Sequence, residues 1–414
     1  MNHKLAAAVC AASAAICLAP AYAYDFGSVR INGFGQVVTG STLDNNRKFE
    51  TNSNPTYSYD ADPKFDEESL FALQVTAPLT NKLTATAQIV SHGNDNFKTE
   101  FEWAYLNYQF NSDWSVKLGR QRDPLFYYSD YLEVGVAYPW LRVPTAVYGS
   151  VGGFSNIDGI SVNYSHSFGK WEFDPQFIYG RYTGPLQLGP DNTATANLDD
   201  RNQVGFSMHA GYNDWLNLRA GYFVSQLSIT NTPVDPLINT LQQVGLKQAA
   251  NDLAANGDTI TFMELGTEIN YAKWEFISEY VELKSYHNYI AHSHDFYVGL
   301  GRHFGRFMPM FTYGRVNASS PATDETNDLA SGTVPAGALG PGTPPVPVPG
   351  TVVFGSTVSG LLASQTSHDN FYQFDLRYDL ANNVALKVDY TGFNSSVPGR
   401  NSSNLVSAGV AFSF

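Results

Sequence analysis

The sequence predicts an all-β fold, a sixteen-stranded antiparallel barrel that crosses a membrane with its strands and folds its third long loop into the lumen. Three observations lead there. An export signal opens the chain, and no later apolar run is long enough to span a bilayer as a helix. Segments of about ten residues alternate in polarity from end to end. Aromatic residues track the short connections between those segments.

The signal is read from Lys4, the alanine-rich apolar run that follows it, and Ala21-Tyr22-Ala23, which gives cleavage after Ala23. Its apolar run is shorter than the roughly 20 residues of a membrane-spanning helix. Residues 1–23 are therefore expected to be removed, leaving 24–414 as one barrel domain. Cys10 and Cys17 both fall in the signal, so neither a disulfide framework nor thiol chemistry is expected in the processed chain. Neither follows a small residue, as a lipid-anchored cysteine would; Val9 and Ile16 precede them. Loss of Lys4 makes the formal charge of −14 one unit more negative, which argues against nucleic acid as a partner. Only 15% of residues are charged, against about 25% in an ordinary soluble domain.

Strands are expected near 29–40, 69–79, 82–91, 100–110 and 114–122. The next eight fall near 159–168, 170–181, 201–213, 216–229, 259–271, 273–285, 293–304 and 306–316, and the last three near 370–380, 383–393 and 403–414. The connections alternate between tight turns, such as Gly169, Asp214 and Gly305, and long loops at about 41–68, 92–99, 123–158, 182–200, 230–258, 286–292, 317–369 and 394–402. An even strand number with that alternation puts both chain ends on the short-turn side, the periplasmic side of a bacterial barrel.

Alternation within strands assigns faces. Leu83, Ala85, Ala87 and Ile89 oppose Lys82, Thr84, Thr86 and Gln88. By the same parity Lys117, Arg219, Arg377 and Lys387 point inward with Glu264, Glu268, Glu279, Asp375 and Asp389, and acidic residues outnumber basic ones. Arg120 is the exception. Counting from Trp114 it faces lipid near mid-membrane, where an arginine costs about 2–4 kcal/mol, so Gly119 is expected to bulge and turn Arg120 into the pore wall or a subunit interface.

A β-sandwich also alternates, and the aromatics decide between the two. Trp114, Trp171, Trp215 and Trp274 each follow a short turn, with Phe110, Phe168, Tyr212 and Tyr271 on the other arm. Such a ring at one level is a membrane-interface girdle, whereas sandwich-core aromatics would not track turns.

The chain ends in Val406-x-Ala408-x-Val410-x-Phe412-x-Phe414, which resembles the closing strand of Gram-negative outer-membrane proteins. Leu118-Gly-Arg-Gln-Arg-Asp-Pro-Leu-Phe, then Asp130-Tyr-Leu-Glu-Val-Gly and Tyr138-Pro-Trp-Leu-Arg-Val-Pro, look most like the DcaP-type and phosphate-selective branch of the sixteen-stranded trimeric porins. The resemblance implies an outer-membrane homotrimer assembled by the barrel-assembly machinery, with small hydrophilic solutes and membrane lipid as its partners and with the third loop narrowing the channel. It departs from the phosphate-selective pattern in having no lysine ladder or arginine-rich loop.

The third loop carries its own signal. Phe126, Tyr127, Tyr128, Tyr131, Tyr138, Trp140, Tyr148 and Phe154 need a wall to pack against. Asp130, Glu133 and Arg142 are the charges expected at the constriction, with structural pairing of Arg142 to either acid as the alternative. Spacing of Leu237, Leu241, Val244 and Leu253 suggests a short helix in 230–258, and the Pro-rich stretch around Pro344–Pro349 reads as an extended surface loop. His292, His294 and Asp295 read as rim residues rather than a metal site, and Ser207 with His209 is too slight a pair to indicate an enzyme. The function expected is passive diffusion with no catalytic residue and no cofactor. The alternative is a barrel that anchors adhesive loops.

Overall fold

The computed structural model describes residues 24–26, 29–51, 57–149, 155–188, 193–285, 290–320, 324–331, 333–334, 346–347, 357–363, 366–396 and 402–414. The signal, Phe154 and most of the Pro-rich stretch lie outside these residues.

Sixteen antiparallel strands follow one another around a closed sheet. They are β1 (Val29–Ser41), β2 (Leu70–Pro78), β3 (Leu83–His92), β4 (Lys98–Gln109), β5 (Trp114–Arg122), β6 (Asn156–Tyr164), β7 (Trp171–Leu188) and β8 (Ala194–Tyr212). The second half comprises β9 (Leu216–Thr230), β10 (Ala255–Tyr271), β11 (Trp274–Ser285), β12 (His292–Arg302), β13 (Phe307–Ser319), β14 (Ser367–Ala381), β15 (Val384–Asn394) and β16 (Ser403–Ser413). Two short segments, Tyr24–Phe26 and His166–Phe168, join the same sheet.

Closure depends on the chain's last residues. β1 pairs with β16 from Phe34↔Ser413 to Ser41↔Val406, and Gly33 and Phe414 exchange backbone hydrogen bonds of 2.8 Å. The rings of Phe414 and Phe412 lie over Gly33 and Gly35, where any Cβ would collide with them. The terminal aromatic alternation thus seals the first strand against the last.

Alternation separates the two faces as expected. Leu118, Ile160, Leu265, Leu300, Phe374 and Val388 are exposed on the outside, while Ser161, Glu264, Glu279, Asp375, Lys387 and Asp389 are buried inside. At the short-turn rim, ring contacts join Trp114 to Tyr164 (4.7 Å), Trp171 to Tyr212 (4.8 Å), Tyr212 to Trp215 (6.0 Å) and Trp215 to Tyr271 (6.4 Å). Trp274 stands opposite Tyr271 in register, which completes one layer.

One stretch expected as loop is strand. β7 runs to Leu188 and β8 begins at Ala194, so both strands extend into the expected loop at 182–200. That loop is thus largely paired strand, although β7 pairs with β6 only as far as Arg181↔Asp158. Past that point β7 continues on its β8 side, where Pro185 stands opposite Asn197, and a proline is tolerated near a sheet edge. Ala196, Leu198, Leu227, Ile229, Ala255 and Ile260 fill the inner side of this raised part of the wall.

The region 230–258 holds two helices rather than one, α2 (Asp235–Gln243) and α3 (Lys247–Leu253); α4 (Asp324–Ala330) comes from the seventh long loop, and a short α1 (Thr145–Tyr148) precedes them in the third. Ile238, Leu241, Ala250, Leu253, Leu329 and Val358 form a small apolar core among the helices of these two loops.

The third long loop packs inside the barrel. Phe126, Tyr128, Trp140, Val147 and Tyr148 are buried against Phe223, Phe262, Ile277, Tyr297, Met308 and Met310 of the strands. The rings meet edge-on, Phe126–Phe262 at 5.3 Å and Trp140–Tyr297 at 5.5 Å. Burying one such ring contributes about 1.5–3 kcal/mol, whereas ordering backbone costs about 1–2 kcal/mol per residue. Ring burial alone does not hold so long a segment, and polar anchors are required.

Candidate functional site in the barrel lumen

The anchors come from wall charges. Arg219 on β9 donates to the carbonyl of Phe126 at 2.6 Å and to that of Pro124, and its guanidinium lies 3.3 Å from Glu264, which is fully buried. Lys387 on β15 donates to the carbonyls of Gly135, Tyr138 and Trp140, and Arg377 on β14 reaches Tyr138 O at 2.8 Å and Asp379 at 2.7 Å. Acidic residues take the loop's donors. Glu279 accepts Tyr127 N–H (3.0 Å) and Tyr148 O–H (2.7 Å), Asp375 accepts Leu141 N–H (2.9 Å), and Glu268 accepts the hydroxyl of Tyr127 (3.2 Å). Trp140 Nε1 donates to Thr312 on β13 at 2.8 Å. These inward residues were expected to line the pore. The structure instead gives Arg219, Arg377 and Lys387 the loop's carbonyls, so their charges serve to hold it.

The three residues expected at the constriction separate. Arg142 is buried between Glu68 of the first long loop and Asp389 of β15, donating to Asp389 at 2.9 Å and to Ser407 at 3.1 Å. It faces no solvent, and its partners are neither Asp130 nor Glu133. Glu133 accepts from Arg122 at 3.4 Å and pairs with His92 at 2.9 Å, while Arg122 also holds Glu102 at 2.9 Å. Burial pushes the Glu133 carboxyl up, but Arg122 and His92 outweigh it and hold the group at about 2. Asp123, at the loop's start, accepts two hydrogen bonds from Gln203, and burial raises it to about 8. Asp130 alone of the expected three is exposed.

Arg120 requires a correction. Gly119 does take a positive φ of 130°, yet pairing runs on regularly through Gly119↔Gly159 and Arg120↔Asp158. Arg120 stays on the outer face with Leu118, bonded through two nitrogens to Asp158 at 2.8 Å each. It is not part of the pore wall. His294 and Asp295 also fall on opposite faces, the first exposed and the second buried, so they do not converge.

With the loop clamped to the β9–β15 side, the inward side chains that keep some exposure on β2–β6 include Gln74, Trp103, Tyr105, Asn107, Ser115, Lys117 and Asn163. Lys117 sits over the Tyr105 ring at 5.4 Å and makes no ion pair among the described residues. Sequence reasoning missed Glu68, His92, Glu102, Arg122, Trp103 and Tyr105. Parity from Gln88 would have placed the two aromatics inside, because Gln88↔Trp103 and Thr86↔Tyr105 are register pairs.

No family model matches the sequence, and no curated protein does. Solved structures do. The outer membrane channel DcaP of Acinetobacter baumannii aligns over 94% of this chain and 99% of its own, with 10% identity and a TM-score of 0.55. An anion-selective porin from Comamonas acidovorans aligns over 94% and 99%, with 13% identity and a TM-score of 0.52. OmpT of Vibrio cholerae in its trimer form covers 94% and 100%, with 12% identity and a TM-score of 0.50. At such identities the likeness concerns architecture, and that architecture is the closed antiparallel barrel of the outer-membrane porins.

Proposed function

We propose that the chain is an outer-membrane porin, a passive channel for small hydrophilic solutes that works as a homotrimer without cofactor or catalytic residue. One observation carries this reading: a long aromatic loop is clamped to one inner wall by Arg219, Lys387 and Arg142, while the facing wall keeps its polar side chains accessible. A barrel serving only as an anchor has no need to fix a loop on one side of its lumen. The porin neighbours, one of them solved as a trimer, support the same reading. In it, residues 1–23 are removed on export, the terminal strand ending in Phe414 is read during barrel assembly, and Asp130 biases the constriction toward cations.

Purified protein in planar lipid bilayers tests this directly. Stepwise ohmic conductance is expected, and a bilayer that takes up the protein without passing current would overturn the reading. The rival is a surface protein whose barrel anchors its loops; the packed helices α2 to α4 favour it as a folded display. Binding to cells or matrix by a non-conducting barrel would decide for that rival.

A further inference from the structure

We propose that the accessible inner wall carries a binding strip for uncharged, hydroxyl-rich ring solutes of the sugar or cyclic polyol class, built on Trp103 and Tyr105. The proposal rests on the porin reading and names the solute that such a channel favours.

Trp103 and Tyr105 are successive inward residues of β4, with ring centroids 6.4 Å apart. Because β4 runs across the barrel wall from the long-loop end to the short-turn rim, the two rings are stepped along the direction of passage rather than around it. Both are half-buried, so part of each ring is open to the lumen. Gln74 and Asn107 flank them; Gln74 accepts from the buried Gln88 at 3.0 Å, and Asn107 stands opposite Lys117 in register. A primary amide offers both donors and acceptors, as a hydroxyl does, so this surround matches a ligand whose edge is all hydroxyl. Aromatic rings match a ligand face made of C–H groups.

Charge narrows the class. Arg122 already lies over the Trp103 ring at 5.7 Å and Lys117 over that of Tyr105 at 5.4 Å, so the cation-accepting position at each ring is already taken by the chain itself. Arg122 is neutralised by Glu102 and Glu133, which leaves Lys117 as the strip's own free charge. A neutral solute with an apolar face and a hydroxylated edge uses the open parts of the rings and the amides without displacing either resident cation.

The test is current block in planar bilayers with the full processed chain. Glucose and maltotriose serve as neutral probes and benzoate as the charged ring. Maltotriose is expected to interrupt the ion current in a concentration-dependent way, more strongly than glucose. Trp103→Ala and Tyr105→Ala should each raise the half-blocking concentration about tenfold while conductance persists. Trp103→Phe and Tyr105→Phe, which keep a ring and the fold, should retain block, and Lys117→Met should leave sugar block intact. Normal conductance with no sugar block overturns the strip but not the channel. Block by benzoate alone, lost in Lys117→Met, overturns it in favour of an anion site. Sugar block unchanged in both alanine variants overturns it as well, and absence of any current removes the channel reading and the strip together.

Discussion

Arg142 of the inward loop and Asp389 of the barrel wall meet at 2.9 Å, although 247 positions separate them in the chain. Glu68 closes on the same guanidinium from the first long loop. A buried arginine between two carboxylates is held only by complete pairing, and removing one partner strands the others at a cost of about 3–5 kcal/mol. Arg142→Met is expected to lower the temperature at which the folded barrel is lost on a heat-modifiable gel and to raise single-channel conductance as the loop loosens. Unchanged values of both would show that the remaining anchors, Arg219 and Lys387 among them, fix the loop without Arg142.

Selectivity should respond to Asp130 and hardly to Glu133. The Asp130 carboxylate is exposed, whereas Arg122 and His92 already neutralise Glu133. Asp130→Asn is expected to reduce the cation-to-anion permeability ratio about two- to fivefold, the effect of one charge near a wet constriction. Reversal potentials in a salt gradient measure it. A larger effect from Glu133→Gln than from Asp130→Asn would place the narrow point at Glu133 instead.

Glu133 should be read in stability rather than current. Its carboxyl is held at about 2 in the folded chain against an ordinary 4.5. A depressed carboxyl stabilises the fold fully above its unfolded value and loses that contribution as pH falls toward the folded one. The gap in thermal midpoint between the parent and Glu133→Gln is therefore expected to be level from pH 4.5 up to the range where its partner His92 gives up its proton, and to shrink between 4.5 and about 2. A gap that stays constant through that window would mean that the pairing contributes no proton-linked stability.

Strand number, faces and girdle were legible because they depend on a period of two and on turn spacing, both local properties of the chain. The loop's inward fold was legible for a related reason, since Tyr128, Trp140 and Tyr148 are too apolar for a solvated loop. Charge partners were not legible. Parity places Lys387 inside, but nothing near Lys387 in sequence says that its ligands are the carbonyls of Gly135 and Tyr138. The same limit hid the pairing of Arg142 with Glu68, for which the sequence offered only the nearer acids. The strand extension to Leu188 was not legible either, because the register that carries β7 past Arg181 is shared with β8 alone.

Barrel closure should fail through glycine as readily as through the terminal aromatic. The Phe414 ring occupies the space above Gly33, and Phe71 stacks against that ring at 6.2 Å. Gly33→Ala and Phe414→Ala are each expected to reduce the folded fraction recovered in the outer membrane, the first by displacing the ring and the second by removing it. Combining Gly33→Ala with Phe414→Ala should cost less than the two effects added, because the collision disappears with the ring. Strict additivity in the amount of heat-modifiable barrel would show that the two residues act separately.

The outward Arg120 escapes the lipid penalty for two reasons. β5 has nine residues, so Arg120 lies two positions from its long-loop end rather than at mid-height, and the cost for arginine there falls to about 0–1 kcal/mol. Its partner Asp158 also satisfies it, although that residue falls just before the point where the sequence signals the start of β6. Beside them Arg181, opposite Asp158 in register, bonds Asp199 at 2.8 Å, so four charged side chains cross β5 to β8 where the exposed apolar residues Leu118, Ile160 and Tyr179 give out. A band at that level marks the upper edge of the apolar belt, where headgroups and water meet both signs of charge. Arg120→Leu alone leaves Asp158 unpaired and is expected to destabilise the folded barrel, whereas Arg120→Leu with Asp158→Leu should recover most of the loss, since an apolar pair often replaces an ion pair at little cost. A double-mutant cycle on unfolding in lipid vesicles measures the coupling, and a double variant less stable than Arg120→Leu would show that the band is held by contacts with something other than its own partner.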